Sequence, residues 1–165
     1  MAISKTKKQG VVATIARAVE DAASVVFVSF SGISVADTTT MRKELRDEGV
    51  GYYVAKKSLI RHVLDARGYT GELPELPGEI AIVWSASDAT LPARSMYEQG
   101  KKYKDTLTIV GGVFENAYVD AAKMQSIATI PPLPVLRGMF VNVINSPIQG
   151  LVIALDHIRQ SKAAA

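Results

Sequence analysis

Lysine and arginine are the residues in this chain whose types and spacing suggest chemistry. Three groups stand out: Lys5, Lys7 and Lys8; Arg42, Lys43 and Arg46; and Lys56, Lys57 and Arg61. Cations grouped this way neutralise and position the phosphates of a polyanion. A merely solvated basic face would have the same composition. Other chemistry finds no support. There is no cysteine, and the two histidines, His62 and His157, are far apart in sequence. Neither thiolate nor imidazole metal-ligand spacing exists. No GxxxxGK[ST] run occurs, and no GxGxxG follows a strand. Serine, aspartate and histidine are present but scattered, so no triad can be read. We therefore expect no enzyme, no catalytic residue, no cofactor and no metal, and His62 reads as an ordinary surface histidine. An enzyme with an unrecognised site would need a pocket with perturbed carboxylates, and nothing in the sequence marks one.

The charge is uneven. The net charge is +3, with a pI near 9.1. Residues 1–70 hold 11 Lys/Arg against 7 Asp/Glu, residues 71–130 hold 5 against 8, and residues 131–165 hold 3 against 1. The basic excess lies in the front part, where a polyanion would bind. Hydrophobic residues make up 48% of the chain, enough for a real core. The absence of cysteine is compatible with a reducing compartment. The basic start has no apolar run behind it, so no export signal is expected.

The elements that must position these cations centre on residues 25–64. Val25 to Phe30 is a β-branched and aromatic run that suits a buried strand. Ser34 is a natural N-cap with Asp37 three residues on, close to a capping box. Val35, Thr38, Met41 and Leu45 follow at helical spacing as one packing stripe, leaving Arg42, Lys43 and Arg46 facing solvent. Gly49 suits the helix end. Tyr52 to Ala55 reads as a second strand, with Lys56 and Lys57 directly after it. A helix then packs through Leu59, Ile60, Val63 and Leu64, and Gly68 closes it. Ahead of this unit, a helix packs through Val11, Val12, Ile15 and Val19. Behind it come a Gly/Pro loop over 68–78, a strand at Ile80 to Trp84 and a helix at Pro92 to Lys104. A strand at Thr106 to Val110 follows, ended by Gly111-Gly112, and then a short helix at Ala121 to Ile127. Lys101, Lys102 and Lys104 read as helix-end charge.

Several of these stretches together resemble a known family. Gly32-Ile33-Ser34, Met41-Arg42-Lys43-Glu44-Leu45-Arg46, Gly49 and Val54-Ala55-Lys56-Lys57-Ser58-Leu59 follow one another as in the bacterial large-subunit ribosomal protein L-ten. Leu76-Pro77-Gly78 and Ile127-Ala128-Thr129-Ile130-Pro131 extend the resemblance over nearly the whole chain. Two positions depart from it: Lys57 stands where the family has Asn, and Pro132 follows Pro131. The resemblance implies an α+β head, a ferredoxin-like two-layer sandwich with an extra helix, followed by a long, kinked C-terminal helix.

The tail has its own character. Leu136, Met139, Phe140, Val143, Ile144, Leu151, Leu155 and Ile158 belong to an apolar surface that runs almost all round a helix. No charge occurs between Arg137 and Asp156. Pro147 is expected to divide the helix into 134–145 and 147–160. The tail could fold into the head, enter a membrane or bind other chains. Asn142, Asn145, Ser146, Pro147 and Gln149 interrupt the uncharged run and weaken the membrane reading. Pro131-Pro132 separates the tail from the head and weakens the first.

The resemblance implies two domains, a head over 1–130 that binds large-subunit ribosomal RNA and a tail over 131–165 that docks dimers of the acidic stalk protein. Lys5, Lys7, Lys8, Arg42, Lys43, Arg46, Lys56, Lys57 and Arg61 would contact RNA. Two tail segments imply two dimers, and the dimers recruit translational GTPases in that family. A neighbouring stalk-base ribosomal protein is a further implied partner, no membrane is implied, and the location would be the cytoplasmic large ribosomal subunit. The alternative is a non-ribosomal α+β module that self-associates through its apolar C-terminal helix.

Overall fold

The computed structural model describes residues 5–71, 73–103 and 106–163, with the side chains of Lys5 and Ala163 outside that description. Elements follow in the order α1 (Lys5–Glu20), β1 (Ser24–Phe30), α2 (Val35–Asp47), β2 (Gly51–Val54), α3 (Lys57–Arg67) and β3 (Glu79–Ser85). They continue with α4 (Leu91–Lys102), β4 (Leu107–Phe114), β5 (Ala117–Asp120), α5 (Ala121–Ala128) and α6 (Leu133–Ala163). Contacts divide the chain into two compact units, Met1–Ile130 and Pro131–Ala165.

In the first unit the strands order as β2-β3-β1-β4-β5, and every neighbouring pair is antiparallel. The first four strands have the expected split β-α-β arrangement of a ferredoxin-like sheet. β1 is at its centre. Val25 and Phe27 point into one core cluster, with Ile15 and Val19 of α1 and Ile60, Val63 and Leu64 of α3. Val26 and Val28 point into another, with Met41 and Leu45 of α2, Ala93 and Met96 of α4, and Met124 and Ala128 of α5. The α+β class therefore stands. Within it, α2 and α4 form the expected sandwich with the sheet, and α1 and α3 add a second helical layer on the other face.

Local signals act as their chemistry requires. The Ser34 hydroxyl accepts the Asp37 backbone N–H at 3.1 Å and donates to the Asp37 carboxylate at 2.7 Å. Gly49 and Gly68 have φ of +77° and +66°, the left-handed conformation that closes a helix. Val35 leaves the predicted packing stripe. It occupies the first helical position, ahead of the packed turns, and is 84% exposed.

Two other expectations are corrected. β4 does not end at Gly111-Gly112 but runs through them to Phe114, with a register shift opposite Phe27/Val28. A Cβ on Gly112 would sit 2.3 Å from the Val25 carbonyl oxygen and 2.5 Å from Met124 Cε. This glycine therefore marks close packing, not a turn. Glu115 and Asn116, with φ of 50° and 62°, then make the turn into β5. In the second unit, Pro147 stands inside one unbroken helix of 31 residues. Proline removes a single i→i−4 bond, and the bonds on either side keep the helical register. The expected division into two segments does not occur.

A polar link joins α2 to α4. Glu44 accepts hydrogen bonds from Gln99 Nε2 at 2.7 Å and Lys102 Nζ at 3.0 Å, and Glu48 accepts one from the Ser95 hydroxyl. The bond from Gln99, then that from Lys102, holds the Glu44 carboxyl below its ordinary range. A carboxylate lowered in the folded state adds stability above its unfolded pKa and loses it as pH falls through the folded value. Glu44→Gln should thus destabilise the protein at pH 7 in denaturant titration, and the difference should shrink as pH falls below about 5. A difference equal at pH 7 and pH 3 would refute the link. Gly112→Ala should cost about 1–3 kcal/mol through overpacking. Gly10→Ala, on α1 with nothing within 4 Å of the new Cβ, should gain about 0.5–1 kcal/mol.

Candidate RNA interface and exposed apolar helix

The directions of α1 and α3 decide where their cations fall. β1 and β2 are both antiparallel to β3, so they run the same way. α1 leads into the start of β1, and α3 leaves the end of β2. At the last turn of α3, Arg67 Nη2 lies 3.4 Å from the Ala16 carbonyl oxygen and 3.4 Å from Glu20, both near the end of α1. The two helices therefore run the same way along one face and begin at the same end of the sheet. α1 begins at Lys5, whose side chain is outside the described residues, and Lys7 and Lys8 are exposed on its first turns.

At that end Lys56 is the N-cap of α3 and makes no side-chain cap bond, and the first turn carries no acidic residue. By contrast, Ser34 caps α2 and Asp120 caps α5. Two open hollows flank Lys57. One, of about 440 Å³, is lined by Lys57, Ser58, Arg61, His62, Asp65 and Leu76. The other, of about 370 Å³, is lined by Lys56 and Lys57 with Val54, Ala55, Gly78, Glu79 and Ile80. Unsatisfied backbone N–H groups and the positive end of a helix dipole attract anions. Lysines and an arginine placed there strengthen the effect.

Arg42, Lys43 and Arg46 are exposed on α2, which packs on the other face of the sheet. The three groups thus do not form one continuous surface on a single helical layer. Arg42 reaches the edge strand β2, where its Cζ lies 5.3 Å from the Tyr52 ring centroid. The Tyr52 phenol is pushed up by burial, an effect that the positive charge of Arg42 opposes.

Ion pairing separates the cations into two classes. Arg67 pairs with Glu20, Lys102 with Glu44, and Arg159 with Asp156. Among the described residues, Lys8, Arg42, Lys43, Arg46, Lys56, Lys57 and Arg61 have no ion pair. Lys101 lies over the Tyr97 ring at 4.4 Å, so this helix end has an internal use, while Lys104 lies outside the described residues. Among the described residues no group of three His, Asp or Glu could hold a metal.

In the second unit, Leu136, Met139, Phe140, Val143, Ile144, Leu151, Leu155 and Ile158 are each between 44% and 70% exposed. A narrow polar line accompanies them. Asn142, Asn145, Gln149 and Asp156 succeed one another by three, four and seven residues, which is helical spacing. α6 is long and apolar enough to cross a membrane by length and composition alone. A lone span would, however, turn the Asn142, Asn145 and Gln149 amides into hydrocarbon.

Comparison with known proteins identifies the family. Residues 3–101 match the family described as Ribosomal protein L10. The large ribosomal subunit protein uL10 of Shouchella clausii (strain KSM-K16) is 34% identical over 156 residues, covering 94% of this chain and 93% of that protein. The chain belongs to the ribosomal protein L10 family. Proteins named uL10 from Dehalococcoides mccartyi (strain CBDB1) and Clostridium tetani (strain Massachusetts / E88) are each 30% identical, over 92% and 97% of this chain and 86% and 94% of theirs. Members of this family are structural proteins of the ribosome and not enzymes. That agrees with the lack of any catalytic constellation in the sequence.

The exposed helix makes a direct prediction for this family member. Replacing Phe140 and Leu151 together by Ser should reduce concentration-dependent aggregation of the isolated full chain in light scattering. It should leave the thermal unfolding of the head unchanged, because both side chains are exposed.

Proposed function

We propose that this chain is a structural constituent of the large ribosomal subunit, working at the base of the stalk in the cytoplasm. Its head holds large-subunit ribosomal RNA, and α6 carries dimers of the acidic stalk protein, which recruit translational GTPases. A neighbouring stalk-base ribosomal protein completes the site. The mechanism is connection without chemistry: an RNA-bound base supports a hydrophobic perch for other chains.

The observation that carries the reading is the exposure of a 31-residue apolar helix in a member of a ribosomal family. Burying seven of its large side chains contributes on the order of 10–20 kcal/mol as an upper figure. Association costs about 4–15 kcal/mol, so a tight complex is within reach. For the head, support comes from cations without internal partners at the uncapped start of α3. Phosphates there complete both the charge and the N–H groups. With no break at Pro147, the argument for two dimers loses its basis, and the count becomes a question of mass.

Two measurements test the reading. The first is the mass of the complex recovered when the full chain is produced with its own organism's proteins, beside a chain ending at Ile130. Small acidic dimers present with the former and absent with the latter support α6 as the dock, and the mass counts them. Recovery of this chain alone in several copies supports self-association instead. The second is RNA affinity as a function of salt. About five phosphate contacts give a slope near −4 by the duplex rule. Lys56→Ala with Lys57→Ala should reduce that slope by about 2. An unchanged slope would clear both lysines of RNA contact, and a wild-type slope near zero would remove the electrostatic interface altogether.

A further inference from the structure

Arg42 differs from the other cations of the head in what lies beneath it. Its guanidinium is placed over the ring of Tyr52, with Cζ 5.3 Å from the centroid. Tyr52 is half-buried against the core cluster that holds Met41 and Leu45. That packing anchors the ring as a fixed support. β2 is the last strand on its side of the sheet, so no further strand covers this edge. Arg42 itself is exposed and has no ion pair among the described residues. Arg67 and Arg159, by contrast, use their guanidinium groups on Glu20 and Asp156.

A phosphate can be neutralised by charge alone, which Lys43 and Arg46 already provide on the same helix. The Tyr52 ring beside the guanidinium restrains a planar group that stays exposed to water. An unstacked nucleotide base is the ligand that such a plane fits. Single-stranded loops and bulges of RNA are commonly read by stacking bases on aromatic rings or on guanidinium planes. Lysine lacks the plane and does not replace arginine at a stacked position.

We propose that Arg42, supported by Tyr52, is a stacking platform for one unpaired base of the bound RNA, and so contributes sequence or loop-shape preference beyond phosphate neutralisation. This rests on the RNA-binding reading of the head.

The test uses the full-length chain and the shortest transcript of its own organism's large-subunit ribosomal RNA that the wild type binds. Four variants are compared: Arg42→Lys, Arg42→Gln, Tyr52→Phe and Tyr52→Leu. Arg42→Lys should weaken binding about tenfold while leaving the salt slope unchanged, because the charge remains and only the plane is lost. Tyr52→Phe keeps the ring and should bind as the wild type does. Tyr52→Leu should follow Arg42→Lys, with thermal unfolding confirming that it folds. 2-Aminopurine placed in turn at each unpaired position should change its fluorescence on binding the wild type at one position and not on binding Arg42→Lys. If Arg42→Lys binds like the wild type, or weakens binding while no 2-aminopurine position responds to Arg42, then Arg42 is a phosphate contact and the platform is overturned while RNA binding stands. If the wild type shows no salt-dependent RNA binding, the RNA reading fails, and the platform with it.

Discussion

β1 is buried on both sides, and the head depends on that constraint. Val25, Val26, Phe27 and Val28 are each at most 2% exposed, so neither face of the sheet can be left to water. Phe27 and Val25 need one apolar layer, and Val26 and Val28 need another. The crossovers β1-α2-β2 and β3-α4-β4 place α2 and α4 on the same face, where α5 joins them, and α1 and α3 cover the other. Functional placement follows from this packing need. Because α1 and α3 share a face and a direction, their basic beginnings come to one end of the sheet. An α3 on the other face would have separated Lys56, Lys57 and Arg61 from Lys7 and Lys8.

The polar groups of the head fall into two kinds. Glu44, Glu48, Ser95, Gln99 and Lys102 satisfy one another between α2 and α4. Arg67 ties α3 to α1 through Ala16 and Glu20. These groups hold helices in place. The cations at the start of α3, and Lys43 and Arg46 on α2, form no ion pair among the described residues. Exposed ion pairs add little stability in any case, so leaving these cations unpaired costs the fold little and leaves their charge available to a polyanion.

The second unit poses the opposite physical problem. Its apolar surface is large, exposed and wound around most of a helix, and the head core of residues up to 130 is already closed on both faces of the sheet. The amide line of Asn142, Asn145 and Gln149 argues against hydrocarbon as the missing cover. The cover proposed above is another protein.

Much of this was legible in the sequence. β-branched runs, the Ser34 cap, the glycines at helix ends and the apolar stripes are local signals, set by side-chain shape and backbone conformation within a few residues. They determined the α+β class, most elements, the basic front and the apolar tail. The family resemblance rested on the same stretches. What the sequence misread involved partners distant along the chain. Gly112 resembles a strand end until Val25 and Met124 press against it. β5 follows a Glu-Asn turn without glycine, so it had no local signal. Pro147 suggests a helix end, yet flanking hydrogen bonds carry the helix through it. Which face α1 and α3 cover, which cations are paired and which are not, and the placement of Arg42 over Tyr52 were decided only by the tertiary structure. Each depends on packing between segments that no local rule connects.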